Sequence, residues 1–92
     1  MMNNQSIVRA SKALKAVANE KRLKILYNIW DKELSVGDIE KKVGLSQSAL
    51  SQHLAILRAE KIVKTRRKAQ TIFYTLKDDK IKNILELVVK LF

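Results

Sequence analysis

The sequence predicts a mainly α-helical domain with one β-hairpin, and three observations support this fold class. The 92 residues include two glycines and no proline, so long helices with few sharp breaks are expected. Apolar residues recur at helical spacing through most of the chain. Between about residues 62 and 76, partly alternating β-branched and aromatic residues are typical of strands instead. The chain shows no obvious linker, so we expect residues 1–92 to form a single domain.

The first two predicted helices cover about residues 6–17 and 19–30. One face of the first helix carries Ile7, Ala10, Leu14 and Val17. The second helix begins with Asn19 as a suitable N-cap, and its apolar positions form two stripes. The stripes consist of Leu23, Leu26, Tyr27 and Trp30 and of Ile25 and Ile29. A helix with so much apolar surface belongs near the centre of the domain, and we expect Tyr27 and Trp30 in the core.

A third, short helix is predicted to follow Ser35, with Val36, Ile39 and Val43 facing inward. Gly44 comes directly after it and can adopt the left-handed conformation that closes a helix. Ser46 can then cap the next helix. A short helix, a turn with glycine and a capped second helix form a helix-turn-helix pattern.

The fourth predicted helix has two chemically different faces. Leu50, Leu54 and Leu57 stand at i, i+4 and i+7 and share one face. The opposite face carries Ser48, Gln52 and Ala55, with Gln47, Ser51 and His53 at its margins. A merely solvated helix usually shows Lys and Glu here, whereas these short uncharged groups suit base edges in a DNA major groove. We therefore expect DNA contacts from Gln47, Ser48, Ser51 and Gln52.

His53 is the only histidine of the chain. Catalysis would need a partner base or nucleophile in an enclosed pocket, and a metal site would need further ligands. We expect a DNA-phosphate contact or a structural hydrogen bond instead, and no catalytic residue, metal or cofactor.

The predicted hairpin pairs residues 62–67 with 71–76 around Lys68, Ala69 and Gln70, a turn without Gly or Asn. From residue 58 to 68 the chain has six basic residues and one acid. Charge that only protects strand edges would normally mix its signs, so this excess predicts phosphate contacts. The expected contact residues are Lys64, Arg66, Arg67, Lys68 and Gln70. One of Phe73 and Tyr74 should be core and the other partly exposed.

The last predicted helix opens with Asp78 and Asp79, acids at the end that the helix dipole prefers. Its apolar stripe is broader than one small core needs, and exposed it would exceed the patch that monomers normally tolerate. We expect a homodimer interface formed by Leu14, Ile81, Ile84, Leu85, Val88, Leu91 and Phe92. A membrane-surface helix would concentrate basic residues around the stripe, but here the lysines are offset by acids.

The formal net charge of +10 indicates a polyanionic partner. The absence of cysteine excludes disulfides and thiolate metal sites. No apolar run approaches the length of a membrane span, and the polar start is unlike a signal peptide. We expect a cytoplasmic protein without a membrane partner.

The runs LSQSALSQHLAILR at residues 45–58 and QTIFYTL at residues 70–76 resemble the ArsR/SmtB family of winged-helix bacterial repressors. Residues 18–23 and 33–39 are similar to its second and third helices, and the nearest branch is that of the haemolysin regulator and the biofilm repressor. The resemblance implies a dimer with five helices and a two-stranded wing on an imperfect DNA palindrome. It places helix 46–58 in the major groove and the hairpin tip over the adjacent backbone or minor groove.

The chain departs from this family at its usual sensor positions. Cysteines of metal-sensing members are replaced by Ser35 and Gly37, and the last helix has no histidine. The thiol sensor position of the second helix corresponds to Tyr27. Where many relatives end the recognition helix with Gly, this chain has Lys61, so we expect that helix to end differently.

The main hypothesis is a homodimeric, sequence-specific transcription regulator of double-stranded DNA, acting as a repressor on a palindromic promoter site. A second hypothesis is a winged-helix interaction module whose last helix docks a different protein. RNA binding is a third, disfavoured because the basic hairpin has few exposed aromatic residues for stacking.

Overall fold

The computed structural model describes residues 2–92 and contains five helices and three strands in these residues. The helices are α1 (Asn4–Val17), α2 (Glu20–Asn28), α3 (Val36–Val43), α4 (Gln47–Ala59) and α5 (Asp79–Leu91). The strands are β1 (Leu34–Ser35), β2 (Val63–Lys68) and β3 (Thr71–Leu76). The predicted class of helices with a β-hairpin is confirmed. β1, which was not predicted, is two residues long and adds a third strand to the sheet.

Each of the five helices begins at a residue whose side chain accepts a backbone N–H of the first turn. The caps are Asn3, Asn19, Ser35, Ser46 and Asp78. Such caps satisfy amide groups that have no partner inside the helix. Gly44, with φ of 73°, closes α3 as predicted, and Ser46, the N-cap of α4, follows two residues later.

The core lies where α2, α3 and α4 meet the sheet. Ile25, Ile29, Ile39, Leu50 and Leu57 have no exposed surface. Tyr74 on β3 is buried and Phe73 is partly exposed, which confirms the prediction for that pair.

The prediction that Tyr27 lies in the core is wrong, because 77% of its surface is exposed. Ile25, Leu26 and Ile29 bury the opposite side of α2, and Trp30 is only half-buried against the core. Leu26 of the first stripe is buried together with Ile25 and Ile29 of the second, so helical spacing alone could not show which apolar residues of α2 face the interior.

Lys61 ends α4 in the left-handed conformation, with φ of 56°. The backbone N–H groups of Lys61 and Ile62 donate to the carbonyls of Arg58 and Leu57, the pattern of a Schellman motif. The expectation that this helix ends differently from its glycine-ended relatives is therefore wrong. Burial of Ile62 and Leu57 at the motif offsets the cost of a Cβ in this conformation.

The strand order is β1-β3-β2, and both pairings are antiparallel. β2 and β3 form the predicted hairpin, with Ala69 and Gln70 between them. None of the five helices described is long and apolar enough to cross a membrane.

Candidate nucleic-acid interface

The outward face of α4 presents uncharged polar side chains. Leu50, Leu54 and Leu57 anchor the helix in the core with at most 2% of their surface exposed. Gln47, Ser48, Ser51 and Gln52 are all exposed. The structure gives none of these four side chains a hydrogen-bond partner within residues 2–92, so their donors and acceptors are available to a ligand.

His53, at the margin of this face, is half-buried and is engaged inside the chain. Arg22 Nη1 donates to His53 Nδ1 over 3.1 Å. This geometry requires the proton of the neutral ring to sit on Nε2. Burial lowers the pKa of His53, and the positive charges of Arg22 and Lys21 lower it further. The structural hydrogen bond, one of the two roles expected for His53, is the one that the structure shows.

Arg22 holds three elements together. Besides His53 of α4, its guanidinium donates to the carbonyls of Ala16 (2.5 Å) and Lys15 (3.3 Å) in the last turn of α1. These carbonyls lack helical partners, and a cation there also complements the helix dipole. This role of Arg22 was not predicted from the sequence. The available signal was a cation in the first turn of α2, where the helix dipole disfavours positive charge.

The hairpin separates its basic residues onto two faces. The face that points away from the helices, called the outer face below, carries Lys64, Arg66 and Lys68. Their partners on β3 are Thr75, Phe73 and Thr71. Arg67 pairs with Ile72 and shares the other face with Val63 and Tyr74, which are buried against the helices. Arg58 of α4 donates to the Tyr74 hydroxyl over 2.6 Å on that face. Arg67 therefore emerges on the side of the sheet that contacts α4.

Exposed groups extend to the hairpin tip. Lys64, Arg67, Lys68 and Gln70 are exposed, and no ion pair within residues 2–92 involves the three cations. Ala69 begins the turn with φ of 56°, a conformation that favours glycine. The tip therefore offers cationic side chains on a tight two-residue turn.

Arg66, also expected to contact DNA, is paired within the chain. Its guanidinium donates to both carboxylate oxygens of Glu33, with distances of 2.5 and 3.2 Å. It also lies over the Phe73 ring, 4.9 Å from the centroid. Hydrogen bonding to Arg66 lowers the pKa of Glu33, and the same contact raises the pKa of Arg66.

A second exposed surface is apolar and lies on α5 and α1. At least 46% of each side chain is exposed at six apolar positions of α5 and its C-cap: Ile84, Leu87, Val88, Val89, Leu91 and the cap Phe92. On α1, Ile7, Val8 and Leu14 are about half exposed or more, while Ala16 is buried. Of the residues expected at the dimer interface, Leu85 is only 5% exposed and Ile81 packs against the core. These two residues have little surface to offer a partner.

The polar residues form no evident metal centre. Among residues 2–92, no group of three His, Cys, Asp or Glu side chains is placed to hold a metal ion.

Residues 19–65 match the model of the family described as bacterial regulatory protein, arsR family. The transcriptional activator HlyU of Vibrio cholerae is 54% identical over 79 residues, which cover 86% of this chain and 73% of HlyU. The chain belongs to the arsR family. The nodulation protein NolR of Rhizobium meliloti is 56% identical over 78% of the chain and 59% of NolR. The biofilm growth-associated repressor of Agrobacterium fabrum is 40% identical over 86% of the chain and 68% of that protein.

Solved structures show the same fold. HlyU from Vibrio cholerae superposes with a TM-score of 0.87 at 50% identity, covering 99% of this chain and 98% of that one. A homodimeric winged helix-turn-helix DNA-binding domain from Mycobacterium bovis has a TM-score of 0.88 at 22% identity, covering 99% and 86%. The predicted fold and family, including the haemolysin-regulator and biofilm-repressor branch, are confirmed. This arsR-family chain is a transcriptional regulator with a DNA-binding winged helix, and its relatives are regulators rather than enzymes.

Proposed function

We propose that this arsR-family chain acts as a homodimer that represses transcription by binding a palindromic promoter site in double-stranded DNA. The observation that carries the proposal is the exposed, uncharged face of α4 beside the cationic hairpin. Uncharged hydrogen-bonding groups can read base edges, while cations hold phosphates without reading sequence. Two such units would meet half-sites about one helical turn, roughly 34 Å, apart.

In this proposal α4 enters the major groove. Gln47, Ser48, Ser51 and Gln52 contact base edges or nearby phosphates, because they are exposed and have no hydrogen-bond partner in residues 2–92. Glutamine can pair with adenine through two hydrogen bonds. The hydrogen bond from Arg22 of α2 to His53 of α4 helps to hold α4 in place.

The hairpin contacts the backbone beside that groove. Lys64, Arg67, Lys68 and Gln70 carry this part of the proposal because they are exposed at or near the tip. The cations of the hairpin would also bind DNA of any sequence, because phosphate contacts do not depend on the bases.

Self-association rests on the apolar surface of α5 and α1. A surface that includes Leu87 and Val89 at 61% and 68% exposure is costly to leave in water. The Mycobacterium bovis domain of the same fold is a homodimer. The names of relatives include both an activator and a repressor. Repression is the simpler outcome, because occupying a promoter requires no contact with polymerase.

The test is a selection of bound duplexes from random DNA, followed by titration of the selected duplex, a shuffled duplex and single-stranded RNA. We expect an inverted repeat to be enriched, and tighter binding to it than to the other two. Equal binding to all three would contradict sequence-specific recognition of duplex DNA. A monomer in light scattering that associates only with a different protein would support the interaction-module alternative.

A further inference from the structure

Arg66 and Glu33 connect the hairpin to the start of the helix-turn-helix across the whole width of the sheet. Arg66 lies on β2, Phe73 on the central strand β3, and Glu33 directly precedes β1. Phe73 pairs with Arg66 on one side and with Ser35 on the other, so these side chains share the outer face. The guanidinium crosses the Phe73 ring and reaches the Glu33 carboxylate on the far side.

The far end of this contact is a fixed point of the fold. Ser35, two residues after Glu33, caps α3 by accepting the Asp38 N–H over 3.1 Å. Leu34 between them is 7% exposed and belongs to the core. The near end is a hairpin whose β2 side chains are all exposed from residue 64 onward. The contact between Arg66 and Glu33 therefore joins the weakly packed hairpin to the well-packed segment that starts α3.

We propose that Arg66 and Glu33 are positioning residues that hold the hairpin at a defined angle to α4, and that Arg66 does not bind phosphate. The inference rests on the proposed DNA binding, because the hairpin angle matters only if its tip must reach the backbone. Arg66 already directs Nε and Nη2 of its guanidinium at the two carboxylate oxygens of Glu33 and lays one face of the group on the Phe73 ring. Arg67, Lys64 and Lys68 lack such partners within residues 2–92 and remain the phosphate contacts.

The two roles of Arg66 predict opposite effects for Glu33→Gln. If Arg66 binds phosphate, removing its competitor should free the cation and tighten binding to every duplex. If the pair positions the hairpin, the same change should weaken binding although the protein becomes more positive. Glu40→Gln is the matched control, since it removes one acid from α3 that forms no ion pair in the described residues.

Exchanging the charges of Glu33 and Arg66 gives a second test of the proposal. We expect Glu33→Arg and Arg66→Glu each to weaken binding to the selected duplex, and the double variant to recover at least about threefold over the product of the single effects. A phosphate-binding Arg66 would give no recovery, because Glu at position 66 would still repel DNA. We expect Arg67→Gln to lower the slope of log K against log salt by about 1.

Backbone relaxation measured by NMR on the DNA-free protein separates this inference from the proposed function. In Glu33→Gln we expect order parameters of residues 66–71 to fall from about 0.85 towards 0.6, with those of α4 unchanged. In Glu40→Gln both should stay unchanged. Unaltered hairpin order in Glu33→Gln, or tighter DNA binding by that variant, would overturn the inference. Loss of hairpin order in a protein that ignores DNA would uphold the contact and reject the DNA-binding proposal instead.

Discussion

At the scale of single residues, both Lys61 and Gly44 end a helix in the left-handed conformation, although only one of them is a glycine. Both have a positive φ at the end of a helix, 56° and 73° respectively. Glycine adopts this conformation without a steric penalty, whereas a residue with a Cβ is strained by roughly 1–2 kcal/mol. The chain tolerates Lys61 because the two backbone hydrogen bonds and the buried Ile62 depend on that turn.

Replacing Lys61 by Gly should therefore stabilise the protein by about 0.5–1 kcal/mol, after the extra flexibility of the unfolded chain is deducted. Urea unfolding measures the change. Ala59→Gly is the control: Ala59 is the last residue of α4, and this change should destabilise by a similar amount. Destabilisation by Lys61→Gly would mean that the lysine side chain contributes something beyond the turn.

His53 should make stability depend on pH in a defined direction. Its pKa is lowered in the folded state, so the unfolded chain binds a proton more readily. The stabilisation is present above the ordinary pKa of about 6.5 and is lost as the pH falls through the lower folded value. Because the chain has one histidine, pH 5.5–8 isolates this group among the side chains.

We expect a lower melting temperature at pH 5.5 than at pH 8 for the native chain, and a smaller difference for His53→Gln. Thermal unfolding followed by circular dichroism at several pH values is sufficient. An identical pH dependence in both proteins would show that the lowered pKa of His53 does not govern the effect.

At the scale of elements, local chemistry predicted most of the fold. The type and position of Asn19 and Ser46 predict that they are caps, and each accepts the predicted kind of hydrogen bond. The features that the sequence could not predict are contacts between distant residues. β1 exists only because Leu34 and Ser35 pair with Tyr74 and Phe73.

The same reason explains what was missed at the candidate site. Arg66 and Glu33 are 33 residues apart, and Arg22 and His53 are 31 apart. Residue type and position predicted hydrogen bonds from Arg66 and His53. Their partners could not be predicted, because they depend on how the elements pack. The exposure of Gln47, Ser48, Ser51 and Gln52 could be predicted, because on a capped amphipathic helix it follows from local spacing alone.

Because α4 is proposed to contact bases and the hairpin to contact phosphates, substitutions in the two elements should have different effects. Gln52→Ala should cost about 1–3 kcal/mol on the selected duplex and relax preference at one base position. Arg67→Ala should weaken binding to selected and shuffled duplexes alike. Fluorescence anisotropy on both duplexes over a range of salt concentrations distinguishes these outcomes. Equal losses on both duplexes for Gln52→Ala would contradict a base-reading role.

At the scale of the whole molecule, the exposed apolar surface of α5 and α1 predicts self-association. Light scattering should give about twice the chain mass of 10.6 kDa. Ile84→Glu should shift the protein towards the monomer, because Ile84 is 56% exposed on this surface. Asn83→Glu adds the same charge at the neighbouring polar position and should leave the dimer intact. A monomeric native chain would remove the geometric basis for reading two half-sites.

The most direct test of the account is the stoichiometry on DNA, measured by sedimentation of the chain with its selected duplex at low salt. The account predicts two chains per duplex that contains both half-sites, and a marked loss of affinity when one half-site is shuffled. One chain per duplex with unchanged affinity after that shuffle would contradict it.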